Sequence, residues 1–199
     1  VQPAEDQLKA LGAAAASSGA VALFHIVGVT PEAPTYAAAM QGHEPQQVVD
    51  VTMEVLRQAR RELTTADGDR LDMVVLGSPH FSLAEFRQLA PLLAGHHAYP
   101  GVQFLVTSSR AMVLLAKQAG CLAALEEFGG KVTVDTCILA SPMLPAGVKL
   151  LMTNSAKYAY YAPGLLGTTV TFGSLADCVH SAVTGRVVRD EALWRGDSA

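Results

Sequence analysis

Charged residues are scarce in this sequence: 16% of its 199 residues are Asp, Glu, Lys or Arg, against 50% hydrophobic. A net charge of -4 with no basic run argues against a nucleic-acid surface, because binding to backbone phosphates draws on clustered Lys and Arg. Long apolar runs are also missing, since Gly, Pro or a charge interrupts each within about ten residues, well short of the roughly 20 that a spanning helix needs. No membrane segment is expected. The three cysteines are widely spaced and include no CxxC pair, so the chain alone forms neither a four-ligand cluster nor a structural zinc site. This usage fits a reducing, cytoplasmic setting. A GxGxxG opening a helix after a strand is absent too, which disfavours a dinucleotide-binding enzyme. The first residues, Val1 to Lys9, are acidic and amphipathic and begin without Met, which reads as a fragment boundary rather than a signal peptide.

What is present is an alternation of short β-branched or Leu-rich runs with longer amphipathic stretches. The pattern predicts one α/β domain over residues 1–199, built on a mostly parallel open sheet of about six strands with crossover helices. The expected strands are Val21 to Val27, Leu71 to Leu76, Val102 to Val106, Val132 to Val134, Val148 to Met152 and Thr169 to Phe172. Each is nearly continuous in apolar residues, as strands buried on both faces are. Helices are expected at Ala4 to Ser17, Gln46 to Leu63, Leu83 to Leu93, Ala111 to Ala119, Leu122 to Phe128 and Leu175 to Val183. Ser82 with Glu85, and Ser174 with Asp177, mark helix starts of the capping-box kind.

Polar residues gather where each expected strand stops: Gly28 to Pro31, Gly77 to His80, Thr107 to Arg110, Asp135 to Cys137, Thr153 to Lys157, and Gly173 with Ser174. In an open parallel sheet these ends share one edge, where ligands bind at the switch in strand order. Any single loop is explained as well by helix capping. The stretch TNSAKYAYYAPG, Thr153 to Gly164, holds the densest chemistry: Ser155 reads either as a base near the cation Lys157 or as a helix cap, with Pro163 and Gly164 ending that helix. Cys137 reads as an iron ligand or as a small buried hydrophobe. Cys121 and Cys178 are assigned to packing.

Five strings in one order, VALFHIVGVTPEAPT, GSPHFSLAEF, VDTC, TNSAKYAYYAPGLLG and FGSLADCVHSAVTG, resemble the C-terminal half of the aconitase X family along nearly the whole chain. The resemblance implies an aconitase-like three-layer domain from a dehydratase that uses an iron or iron-sulfur centre as Lewis acid while a base removes the neighbouring proton. Known activities in that family are dehydration of cis-3-hydroxy-L-proline in bacteria and of phosphomevalonate in archaea. Carried over to this chain, the resemblance makes Cys137 the iron ligand and Ser155 the base, with Lys157 beside it. It places Ser78 and His80 at the cleft and Thr30, Glu32 and Thr35 near the substrate; His80 joins Ser155 and Lys157 as a catalytic candidate, and Ser78 and Asn154 join the three as substrate-binding candidates. Relatives often carry Cys where Ser78 stands. The remaining ligands are expected from an N-terminal portion of the same catalytic chain, and closure from a small swivelling domain or subunit. By itself the fragment is expected to bind no metal and to be inactive. Cis-3-hydroxy-L-proline is the favoured small-molecule substrate, because no Lys and Arg cluster for a phosphate is apparent. The rival reading is a non-catalytic α/β module holding a small anion.

Overall fold

Within one strand, Met73 and Val75 point to one side and Val74 and Leu76 to the other, and all are buried, so both faces of the sheet must be covered. The computed structural model, which describes residues 2–195, shows how. Five strands, β1 (Met73–Phe81), β2 (Gln103–Ser108), β3 (Lys131–Val134), β4 (Leu150–Thr153) and β5 (Thr169–Phe172), form one sheet in the order β3-β2-β1-β4-β5. Every pairing is parallel. The eight α-helices among the described residues are α1 (Glu5–Gly19), α2 (Tyr36–Met40), α3 (Met53–Glu62), α4 (Leu83–Leu93), α5 (Arg110–Gln118), α6 (Cys121–Phe128), α7 (Ala156–Leu166) and α8 (Leu175–Thr184).

On one face, Val74, Leu76, Phe104, Val106 and Met152 pack against Phe86 and Leu89 of α4, Leu125 and Phe128 of α6, and Cys178 of α8. On the other, Met73, Val75, Leu105, Leu151 and Val170 pack against Ile138 and against Tyr158, Ala159 and Ala162 of α7. Each fully buried side chain of this size contributes about 1.5–3 kcal/mol relative to exposure, so two such faces supply the main cohesion. None of the helices is long and apolar enough to cross a membrane.

The expected parallel open sheet is present, with five strands instead of about six. Residues Val21 to Val27 are not a strand: the run is irregular, and Leu23 is 75% exposed. An apolar β-branched run forms a strand only when a neighbour supplies its hydrogen bonds, and no described strand does so here. The helix expected from Gln46 is confined to α3, leaving residues 46–52 without regular structure. Helix α7 does not stop at Pro163 but runs on to Leu166, ending where Gly167 turns left-handed at φ 65°. Its neighbours hold the helix together across the one hydrogen bond that the proline removes.

Candidate functional site

The chain lays down β1, β2 and β3 to one side, then returns to place β4 and β5 on the other side of β1, so the strand order switches between β1 and β4. Open parallel sheets bind ligands at that position, outside the carboxyl ends of the strands. Ser78 lies in the second half of β1, and Ser155, separated from the end of β4 by Asn154 alone, caps the start of α7. The Ser155 hydroxyl donates to the carbonyl oxygen of Ser78 and accepts from the backbone N–H of Tyr158 at 3.0 Å. Ser155 is therefore both helix cap and strand-end link.

A distortion in β1 creates this meeting. The β1–β2 register slips between Leu76 and Phe81, and Gly77 adopts φ +91° with its α-carbon pressed against the Thr107 carbonyl. An ideal Cβ there would stand 2.0 Å from that oxygen, so only glycine lets the strands approach. Thr107 answers by donating its hydroxyl to the Gly77 carbonyl at 2.6 Å, and Ser108 donates to Phe81 at 2.6 Å. Past the bulge, His80 Nε2 lies 2.9 Å from the Thr136 carbonyl. A carbonyl only accepts, so Nε2 carries the proton and ties β1 to the loop holding Cys137. Arg110 and Asp135 join the β2 and β3 ends by a backbone hydrogen bond of 2.9 Å and an ion pair of 3.0 Å.

Ser78, Asn154 and Ser155 line one cavity of about 290 Å³ with Gly77, Phe172 and Lys9. Lys9 comes from α1. Its Nζ donates to the His80 carbonyl at 3.0 Å and contacts Glu85 at 2.5 Å and Asp6 at 2.9 Å, while Ser82 donates to Asp6 at 2.6 Å. Burial works against the Lys9 charge, yet Glu85 and Asp6 outweigh it and raise the pKa above the usual lysine value. The α1 helix is thereby clamped to the amino end of α4, beside the site. Sequence reasoning gave Lys9 no role; the only local trace is its i,i+3 spacing from Asp6.

Cys137 is half-buried just before a 3-10 turn at Ile138–Ala140. Burial, then the proximity of Cys137, pushes the Tyr158 hydroxyl pKa upward, and that hydroxyl has no hydrogen-bond partner among the described residues. Cys121 and Cys178 are buried in helices, in agreement with a packing role. Among the described residues no group of three His, Cys, Asp or Glu could hold a metal ion. The donor set fits a single thiolate ligand and does not make a complete iron site.

Other expected residues lie elsewhere. Lys157 is half-buried, does not line the cavity of Ser155, and makes no ion pair or side-chain hydrogen bond among the described residues. Thr30 hydrogen-bonds its own turn at Ile26, Thr35 caps α2 by accepting from Ala38, and Glu32 is exposed. These three do not reach the Ser78–Ser155 cavity. With residues 21–27 not forming a strand, the Gly28 to Pro31 turn is not one of the strand ends. The absence of an arginine cluster also needs correcting: Arg57, Arg60, Arg61 and Arg189 converge on one cavity on the outer flank of β5.

The parallel sheet, its switch point and the polar strand ends define an α/β domain of the doubly covered kind with a strand-end cleft. Comparison with known proteins is specific. The aconitase X third-domain family model matches residues 71–184 and the aconitase X second-domain model matches residues 1–61. The chain belongs to the aconitase X family. It is 51% identical over 97% of its length to a cis-3-hydroxy-L-proline dehydratase of Pseudomonas aeruginosa, covering 34% of that protein. It is 40% identical over 85% of its length to a phosphomevalonate dehydratase large subunit of Methanothermobacter thermautotrophicus, covering 41% of that subunit. A crystal structure of Thermococcus kodakaraensis aconitase X in its holo-form matches with a TM-score of 0.76 at 29% identity, over 92% of this chain and 45% of that one. The chain thus spans about a third to under half of the relatives it matches.

Proposed function

We propose that this chain contributes the strand-end part of a dehydratase site that removes water from cis-3-hydroxy-L-proline. The carrying observation is the Ser78–Ser155 link at the switch point, in a chain 51% identical to a dehydratase of that substrate. In this reading Ser155 takes the proton from the carbon bearing the carboxylate, the hydroxyl on the neighbouring carbon leaves as water after gaining a proton, and a carbon–carbon double bond forms. A serine hydroxyl is a poor base until it is deprotonated. Its surroundings bear on that step: the Tyr158 N–H and the positive end of α7 favour an alkoxide at Oγ, and Lys157 adds a cation to the same helix start, whereas the Ser78 carbonyl holds the hydroxyl proton, so Oγ must leave that carbonyl before it acts as the base. His80 is assigned with Ser155 and Lys157 to the catalytic group, Asn154 and Ser78 to holding the substrate, and Thr30, Glu32 and Thr35 to substrate contacts made when the full site is assembled.

An iron or iron-sulfur centre would supply the Lewis-acid chemistry that draws off the hydroxyl; Cys137 would hold it, with the other ligands from an N-terminal portion of the catalytic chain. A small swivelling domain or subunit would close the site. The free thiols support a reducing compartment such as the cytoplasm. Phosphomevalonate is the second reading, favoured by the 40% identity to a large subunit of that activity.

Assay of the full-length protein on both substrates tests this directly. Turnover of cis-3-hydroxy-L-proline is expected; turnover of phosphomevalonate alone overturns the substrate. After anaerobic reconstitution, Cys137→Ser should lower iron content and visible absorbance, and equal iron in both proteins removes Cys137 from the site.

A further inference from the structure

The arginines beside β5 form a site that the dehydratase reading does not use. Arg57, Arg60 and Arg61 project from α3, and Arg189 follows α8; they line a cavity of about 480 Å³ with Glu191 and Trp194. Thr64 and Thr65 cover the outer edge of β5, accepting from Phe172 N at 3.3 Å and Val170 N at 3.0 Å, and Arg189 reaches over this edge to Thr64 and the Phe172 carbonyl. Arg60, only 9% exposed, is held in a two-point pair with Glu191 at 2.5 and 2.8 Å and lies 4.7 Å from the centre of the Trp194 ring.

The charges do not balance. Among the described residues Glu191 is the one carboxylate in the lining, and Glu54 pairs with Arg57 and Arg61 from outside it. Among the described residues, four guanidinium groups against two carboxylates leave two positive charges in excess. Asp177 near Arg189 and Arg195 near Glu191 add one charge of each sign and leave that excess unchanged. Arg57 donates through Nε to the Trp194 carbonyl at 2.5 Å, but its Nη2 is buried without a partner among the described residues. A buried cationic donor left unpaired is costly, and a planar fork of N–H groups matches the oxygens of a phosphate. Burial, and then the charge of Arg60, lower the Arg189 pKa from the usual arginine value, so the cluster repels itself as it stands.

We propose that this cavity binds a compact dianionic oxyanion of the phosphate class, with Arg57 and Arg189 as its donors and Arg60 held in place by Glu191 and Trp194. The ligand is either free phosphate or the phosphoryl group of a small metabolite. Titration calorimetry of the full-length protein with inorganic phosphate, glycerol 3-phosphate and acetate tests it. Phosphate should bind with a Kd below about 1 mM at low salt, acetate should not, and added NaCl should weaken binding. Tighter binding of glycerol 3-phosphate identifies a metabolite phosphoryl group, and tighter binding of phosphate identifies the free ion. Arg57→Gln should weaken binding by about tenfold or more, the loss of a charge-assisted contact, whereas Glu191→Gln should tighten it by removing a carboxylate that competes for Arg189 while its amide oxygen still accepts from Arg60. Thermal melts establish that each variant is folded. No phosphate binding, or binding unchanged by either substitution, overturns the proposal.

Discussion

Ser155 and Ser78 lie 77 positions apart, and the hydroxyl of the first donates to the carbonyl of the second. That bond links β1 to the start of α7, at the switch in strand order where the proposed site lies. Its geometry depends on the bulge at Gly77.

Gly77→Ala is therefore expected to be among the most damaging single-methyl changes in the chain. The new Cβ would collide with the Thr107 carbonyl at 2.0 Å, in a backbone conformation that L-residues avoid. A loss of at least ~3 kcal/mol in urea denaturation is expected from strain and strand separation combined. A loss below ~1 kcal/mol would show that β1 and β2 can part there at little cost.

The clamp between α1 and α4 has a defined pH dependence. Burial raises the Asp6 pKa, but the hydrogen bonds from Ser82 and Lys9 prevail, and the net shift is downward. A carboxylate with a depressed folded pKa adds stability above its unfolded pKa, about 3.9, and loses it as pH falls through the folded value. Wild type should exceed Asp6→Asn in melting temperature at pH 7, with the gap closing below about pH 4. A gap that widens toward acid pH would contradict the assignment.

The thiols should separate by reactivity. Cys178 is fully buried, and burial, followed by the nearby Asp177, pushes its pKa up, whereas Cys137 is half-buried in the loop after β3. Thiolate is the reactive form. Brief iodoacetamide treatment of the native protein, read by mass spectrometry, should label Cys137 well before Cys178. Labelling of Cys178 first would mean that α8 opens in the native state.

Local patterns in the sequence predicted the sheet and most of its helices, because capping and apolar runs act over a few residues. Ser82 and Glu85 form their capping box at the start of α4, and Thr169–Phe172 is a strand as expected. Val21 to Val27 has the same composition but no described neighbour to pair with, and composition carries no record of a partner. Functional groups followed the same division. Ser155 and Ser78 stood in strings that resembled a family. Lys9 reaches His80 across 71 positions, and Arg60 reaches Glu191 across 131; neither contact leaves a local signature.

The role of Ser155 is the centre of this account, and steady-state kinetics of full-length Ser155→Ala on cis-3-hydroxy-L-proline test it most directly. Loss of the helix cap alone should cost about 1 kcal/mol of stability and leave the protein folded. Loss of the base should lower kcat by about two to four orders of magnitude with KM nearly unchanged. A folded Ser155→Ala enzyme that keeps wild-type kcat would contradict the assignment and reduce Ser155 to a helix cap.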